Sequence, residues 1–518
     1  MAYEDILKME NIVKIYGNGV LANNNVNFSV RKGEIHALMG ENGAGKSTLM
    51  KVLFGIEQPD KGKIEFLGEE VKIISSQKAI QLGIGMVHQH FKLVESLTVS
   101  ENIVLGNEPK KYCFFDKNKA NNITKELSKK FNFELNPCDV VKDLSVGKKQ
   151  KIEILKALYR DVKLLILDEP TAVLTPQETV ELFEQLNKLK DNGITIIFIS
   201  HKLDEIKKIC QRITIMRQGK SMGTYDVNTL TTADISKLMV GRDVVLKIDK
   251  KKAVPKEVVL QAKNLNLVDE NGKKIVNNVS FSVRSGEILG IAGVEGCGSR
   301  EVVELISGMV PKDKDSIVKL CGEDIGKNSI KVIRKKGLSY IPEDRINVGL
   351  ATTLSIKENL ISSDIESSFI NSKILMKHKI IDENGRESIK NYDIRCKDEN
   401  HITGMLSGGN MQKVVIAREF STNPKFLIAE QPTRGVDVGA IEFIHKKIIE
   451  KRDEGLSVLL VSADLNEILE LSDSVIVMNQ GEISGYFEDA KSLTEEELGY
   501  YMLGVKRQTD EEIGGVFR

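Results

Sequence analysis

Apolar residues along this chain gather in short runs rather than long ones. Residues 34–39 (EIHALM), 164–167 (LLIL) and 195–199 (TIIFI) have the length of buried strands, and so do residues 287–292 (EILGIA) and 457–461 (SVLLV). Each run is bounded by polar or glycine-rich stretches, the pattern of a strand buried on both faces. Segments with β-type alternation open each half of the chain, and the span 118–131 reads as helical. Strands alternating with helices predict a parallel α/β sheet, here with an antiparallel β segment in front and a helical insertion. No run approaches the roughly 20 apolar residues that a spanning helix needs, so no membrane crossing is expected.

The pattern occurs twice. Residues 25–36 read NVNFSVRKGEIH and residues 278–289 read NVSFSVRSGEIL, identical at nine of twelve positions, where composition alone gives roughly one. The offset of 253 holds from Gly40 to Gly293; it is 262 for Leu144 and Leu406, Pro170 and Pro432, and Ser200 and Ser462. The chain is therefore a tandem duplication with about nine residues inserted in the second copy. The expected organisation is a first domain at 5–245, a charge-rich linker at 246–257, a second domain at 258–505 and a loose tail at 506–518.

At 518 residues the chain is long enough for two cores. Lys+Arg and Asp+Glu are both 74, so there is no global electrostatic footprint for nucleic acid. Hydrophobic residues at 41% and charged residues at 29% fit an ordinary soluble globular protein. The N-terminus lacks a basic segment followed by an apolar one, so a cytoplasmic location is expected. Six cysteines without a C-x-x-C pair fit reduced structural thiols.

Residues 40–48 read GENGAGKST, the G-x-x-x-x-G-K-[ST] spacing, directly after a predicted strand. Glycines let backbone N–H groups curl around phosphate oxygens, Lys46 bridges β- and γ-phosphates, and Ser47 can ligate Mg²⁺. Residues 164–171 (LLILDEPT) end a buried strand on two carboxylates. Asp168 suits the Mg²⁺ shell, and Glu169 suits polarising an attacking water. Residues 195–201 end in His201, suited to sensing a γ-phosphate. Gln89 offers a carboxamide to metal or water. Tyr16, ahead of the first β segment, either stacks on adenine or is a half-buried strand tyrosine. Residues 144–150 (LSVGKKQ) and 406–413 (LSGGNMQK) each put Ser and Gly at a predicted helix start, where N–H groups can meet a phosphate.

In this order the motifs resemble those of the ATP-binding-cassette family, over about residues 5–505. The resemblance implies an α/β fold of two tandem ABC ATPase domains, each a RecA-like parallel-sheet core with an antiparallel β subdomain and a helical subdomain. It implies Glu169, His201 and Gln89 as catalytic residues, and Ser47, Gln89 and Asp168 as Mg²⁺ ligands. The implied ATP site comprises Tyr16, Gly40, Glu41, Asn42, Gly43, Ala44, Gly45, Lys46, Ser47 and Thr48, with Ser407, Gly408 and Gly409 from the other copy. In this family two cassettes face head to tail, each ATP lying between one cassette's Walker motifs, here 40–48 and 164–168 in the first copy, and the other's signature, the LS motif at 144–150 or 406–413. Both cassettes here share one chain, so no homodimer is required.

The second copy departs from the pattern. Ser299, Arg300 and Glu301 stand at the places of Lys46, Ser47 and Thr48, while Glu430 and Gln431 replace Asp168 and Glu169. Asp269, Glu343 and Ala463 stand where Tyr16, Gln89 and His201 do. A neutral amide cannot serve as a general base, a contribution of roughly 10²–10⁴-fold. The second copy is thus expected to bind nucleotide poorly or to hold it without turnover. Its signature, LSGGN, is nonetheless closer to the family form than LSVGK, which implies one working and one degenerate site.

Tandem cassettes with one degenerate site resemble the ATPases of sugar and nucleoside importers. Soluble ribosome-associated cassettes usually have two intact sites and a long helical linker, and DNA-repair relatives insert coiled coils or cysteine-rich modules. Residues 88–103, 340–345 and 431–445 resemble the nucleoside branch, with a monosaccharide importer as the alternative. Gln431 weighs most, since the sugar branch usually keeps Glu there; Glu430 fits neither branch well. The implied partners are two integral-membrane permease subunits and an extracytoplasmic substrate-binding lipoprotein, with no nucleic acid, and the implied location is the cytoplasmic face of the membrane.

Overall fold

In the computed structural model the chain divides into two compact units, Met1–Val244 and Val245–Arg518. The structure describes all residues except 1–3, 18, 42, 89–90, 172–173, 201, 242–249, 270–271, 295, 368–369, 372–374 and 518. The expected roles of Asn42, Gln89 and His201 therefore fall outside the described residues.

The first unit is built on a six-stranded sheet. Its order is Lys220–Asp226, Arg212–Arg217, Ile35–Gly40, Thr195–Ile199, Leu164–Asp168 and Ile84–Val87. All neighbours run parallel except the antiparallel edge pair Arg212–Arg217 and Lys220–Asp226. The runs Ile35–Gly40 and Thr195–Ile199 are buried at every position, because they occupy the middle of a sheet covered on both faces. Phe198 pairs with both Ala37 and Leu167, which brings the end of Ile35–Gly40 and the end of Leu164–Asp168 to the same edge. A four-stranded antiparallel sheet, Leu21–Arg31, Asp5–Ile15, Lys61–Phe66 and Glu69–Val71, lies beside it. The helix Lys46–Leu53 joins the two layers, with Leu49 and Met50 packed in one cluster with Met9, Phe28, Phe66 and Ile166. Each such fully buried side chain contributes about 1.5–3 kcal/mol from burial. Helices Lys117–Phe131 and Val146–Leu158 belong to the insertion and start on the side-chain caps Asp116 and Ser145.

The second unit repeats this plan. Its six-stranded sheet runs Leu338–Ile341, Phe426–Glu430, Ser457–Val461, Ile288–Gly293, Ser474–Asn479 and Glu482–Phe487, and its antiparallel sheet runs Lys274–Arg284, Val258–Val268, Ile317–Leu320 and Glu323–Asp324.

Three expectations are corrected. Tyr16 does not precede the first β segment but follows the strand Asp5–Ile15. The tail 506–518 is not loose: Gln508 donates its N–H to Ser484 O at 3.0 Å and accepts from Tyr486 N at 2.6 Å, and Ser282 Oγ donates to the carbonyl of buried Val516 at 2.9 Å. Ile513 and Val516 add apolar surface to the core of the second unit, which offsets the entropy of ordering the tail. The described part of the 246–257 segment is likewise held by the second unit. Buried Lys250 donates to Leu471 O at 2.9 Å and to Ser472 O, and it pairs with Asp473 at 3.4 Å. Arg452 Nη2 donates to Lys251 O at 3.0 Å.

Candidate functional site

The first glycine loop turns between the strand Ile35–Gly40 and the helix Lys46–Leu53. Gly45 caps that helix at φ 97°, and a Cβ there would lie 2.3 Å from Ala22 O, so only glycine fits the turn. Gly219 donates to Ala44 O at 3.1 Å and Asn23 Nδ2 to Gly45 O at 3.1 Å, pinning the loop from two neighbouring segments. Lys46 is buried, and its Nζ donates to Gly40 O at 2.6 Å and Glu41 O at 3.1 Å. Burial pulls the Lys46 ammonium below the ordinary lysine value, against the opposing pull of Glu169, Asp168 and Glu41. Burial pushes Asp168 above the ordinary aspartate value, and the neighbouring Glu169 pushes the same way. Two crowded carboxylates beside one buried ammonium make a site that gains from a further cation.

Glu169 sits just past the end of Leu164–Asp168 at φ 49°, with its N–H donated to Ile199 O at 2.9 Å. This left-handed backbone turns the chain at the sheet edge, a strained conformation for a side-chain-bearing residue. Ser47 is exposed in the first turn of the helix. The Tyr16 hydroxyl lies 3.3 Å from Thr48 Oγ1, and Lys14 Nζ stands 5.7 Å from the Tyr16 ring centre. Tyr16, Lys46, Thr48, Asp168 and Glu169 thus gather at one edge of the first sheet. The donor set of Ser47 and Asp168, with Glu169 adding charge, fits a divalent cation.

The matched loop of the second unit keeps the backbone and changes the charges. Gly296 and Gly298 have φ 79° and 99°, against 83° and 97° for Gly43 and Gly45. Gly481 donates to Cys297 O at 2.8 Å, as Gly219 does to Ala44 O. Arg300, at the place of Ser47, donates Nε to Glu304 Oε1 at 3.2 Å. Glu430 is buried and accepts from Tyr340 Oη at 2.5 Å. Burial raises the Glu430 carboxyl above the ordinary glutamate value, against the lowering effect of the Tyr340 hydrogen bond. Glu343 forms an ion pair with Arg434. Gln431 keeps the turn, with φ 46° and its N–H on Val461 O at 2.7 Å, but its Oε1 accepts from Ala463 N at 3.2 Å. The groups standing where the first unit has Ser47, Asp168 and Glu169 are engaged with protein partners, and this set does not fit a divalent cation.

The two LS-motif helices start alike and differ beside the first helical residue. Ser145 caps Val146–Leu158 and Ser407 caps Gly408–Ser421. In the second unit Arg345 donates Nη1 to Arg434 O at 2.5 Å and Nη2 to Gly435 O at 3.0 Å. A Cβ on Gly408 would lie 2.8 Å from Arg345 Nη2, so the guanidinium fills the space that a side chain would take. In the first copy the matching residues are Val146 and Phe91. Sequence reasoning missed this paired exchange, whose signal is the simultaneous change at two positions of the repeat.

It also missed a buried carboxylate in each unit. Glu205 accepts from Thr171 Oγ1 at 2.7 Å and Ser200 Oγ at 2.9 Å, tying the segment after Glu169 to the end of the strand before His201. In the second unit Glu467 accepts from Thr433 Oγ1 at 2.7 Å and lies 2.9 Å from His445 Nε2. Apart from Ser200 and Glu205, which are five positions apart, only the fold brings these residues together.

The ABC transporter family pattern matches residues 23–172 and 276–434. The nucleoside import ATP-binding protein NupA of Lactococcus lactis subsp. cremoris is 44% identical over 97% of this chain and 99% of its own. The guanosine import ATP-binding protein NupO of Bacillus subtilis is 46% identical over 99% of each chain. The glucose import ATP-binding protein TsgD13 of Haloferax volcanii is 41% identical over 97% of this chain and 96% of its own.

Proposed function

This chain belongs to the ABC transporter family, and from that premise we propose that it hydrolyses ATP to drive import of a nucleoside. The full-length likeness to two import proteins whose names specify a nucleoside and guanosine carries the cargo assignment. Full-length relatives named for import of glucose and xylose support a second reading, the same role in a monosaccharide importer.

In this proposal the first unit does the chemistry. Loop N–H groups from Gly40 to Thr48 and the Lys46 ammonium hold the β- and γ-phosphates, while Tyr16 lies against the adenine. Glu169 takes a proton from the attacking water, and His201 contacts the γ-phosphate. Ser47, Asp168 and Gln89 would hold Mg²⁺, which when bound neutralises phosphate charge. Ser407, Gly408 and Gly409 present helix-start N–H groups to a nucleotide phosphate. The second glycine loop, with Ser299, Arg300 and Gln431, holds no hydrolytic set.

The chain works with two integral-membrane permease subunits and an extracytoplasmic substrate-binding lipoprotein, peripherally on the cytoplasmic face of the membrane. No helix among the described residues is long and apolar enough to cross it. The permeases are proposed to dock near residues 91–97. The N–H of Lys92 donates to buried Glu153 at 2.7 Å, which supports a mechanical route from that loop to the helix Val146–Leu158. Uptake of labelled purine nucleosides, ribose and galactose in a deletion strain tests the proposal. Selective loss of nucleoside uptake is expected, and selective loss of sugar uptake would overturn the cargo assignment.

A further inference from the structure

Between the helices Val99–Val104 and Lys117–Phe131 the chain makes a two-stranded hairpin, Lys110–Lys111 against Phe114–Phe115. Asp116 donates its N–H to Pro109 O at 2.9 Å and closes the base. Tyr112, at φ 57°, turns the tip. Its side chains are unusual for a protein surface. Tyr112 is 92% exposed, Phe114 80% and Phe115 41%, so three aromatic residues in four positions face solvent. A cluster of this kind is costly in water unless something covers it.

The charge around the rings is equally one-sided. Residues 108–119 hold four lysines and two carboxylates in a chain whose total charge is zero. Both carboxylates are turned back on the backbone: Glu108 accepts from Gly106 N at 2.6 Å and Asp116 from Lys119 N at 3.0 Å. Lys110 feels the Glu108 carboxylate at longer range, but neither Lys110 nor Lys111 forms an ion pair among the described residues. The register sets Lys110 opposite Phe115 and Lys111 opposite Phe114, so each face of the ribbon carries one ammonium beside one ring. Aromatic rings at headgroup depth with lysines reaching lipid phosphates is the chemistry of an interfacial anchor.

We infer that the 110–115 hairpin is a docking element for an anionic lipid surface. The rings enter the headgroup layer, and Lys110 and Lys111 neutralise lipid charge. Charge complementarity selects this occupant: an apolar protein groove would match the rings but leave both ammonium groups without partners. The inference rests on the proposed importer role only in requiring a membrane beside the protein, and it is independent of cargo.

The test uses the full chain in sedimentation with phosphatidylcholine vesicles, with and without phosphatidylserine. ATP binding and thermal unfolding are measured on the same samples. Wild type is expected to bind the phosphatidylserine vesicles preferentially and to lose binding as salt rises. Tyr112→Ser with Phe114→Ser should weaken binding about tenfold, and Lys110→Gln with Lys111→Gln roughly thirtyfold. Both pairs should leave ATP binding and the unfolding midpoint unchanged, since these side chains contribute to no core. Equal binding to both vesicle types, or hairpin variants that bind as wild type does, would overturn the inference. So would hairpin variants that keep vesicle binding but no longer associate with the permeases, which would make the hairpin a protein dock. Loss of ATP binding in the wild type would instead count against the importer reading alone.

Discussion

The glycine loops of the two units share a backbone and differ in what that backbone holds. Gly43 and Gly45 match Gly296 and Gly298 to within a few degrees in φ, and the strand before each loop is buried along nearly its whole length. Even the strained turn after the neighbouring strand persists, at Glu169 in one unit and Gln431 in the other. The loop shape follows from packing between a central strand and its helix, so it persists where the side chains on it differ. The chemistry lies in a few side chains. Lys46 folds onto its own loop beside two carboxylates, whereas Tyr340, Glu430, Glu343, Arg434 and Arg300 engage partners within the second unit.

The largest expected difference is catalytic. Lys46→Ala should reduce ATPase activity of the assembled transporter by at least about 10³-fold and Glu169→Gln by about 10²–10⁴-fold. Ser299→Ala and Gln431→Ala should change it less than about twofold. Gln431→Glu added to Lys46→Ala should restore nothing, because the second loop still lacks a lysine. Rates comparable between the paired variants would end the one-working-site proposal.

The helix-start motifs give the next contrast. Ser407→Arg should cost about 100-fold in ATPase rate and Ser145→Arg less than about threefold, measured in the same complex. Equal losses would mean that both motifs serve hydrolysis.

A smaller effect tests the Arg345 contact. Gly408→Ala places a methyl 2.8 Å from Arg345 Nη2 and must displace the guanidinium. It and Arg345→Lys should each lower the ATPase rate about tenfold, and the double variant should lose little more, since both break one contact. Val146→Gly should be nearly silent. Additive losses would show that the two residues act separately.

The smallest effect is on stability. Burial raises the Glu430 carboxyl, so its folded form prefers the proton. That contribution is fully present below the ordinary glutamate value and is lost as pH rises through the raised one. Glu430→Gln removes the loss while leaving an oxygen for Tyr340. The unfolding midpoint of the variant should therefore gain on wild type as pH rises above the ordinary glutamate value, as calorimetry would show. A gap that stays constant with pH would mean that Glu430 ionises freely.

Much of the fold was legible because its signals are local. Buried strands such as Thr195–Ile199 are continuous apolar runs, and the loop before Lys46 carries its glycines at fixed spacing. The helix Lys117–Phe131 stands where the pattern at 118–131 places one. A linker at 246–257 and a loose tail at 506–518 are what the sequence predicts, because polar, charge-rich segments resemble solvated chain. Val516 and Lys250 are held by Ser282 and by Leu471 and Ser472, more than 200 residues away in sequence.

Spacing along the chain determined the duplication, the phosphate loop and the inequality of the copies, because those depend on residue type at fixed intervals. Tertiary structure alone decided which polar side chains meet: Tyr340 with Glu430, Arg345 with the Gly408 turn, Thr171 and Ser200 with Glu205. A buried polar atom must find a partner wherever the fold offers one. Apart from neighbours such as Ser200 and Glu205, those partners lie tens of residues away and leave no period for a sequence to display.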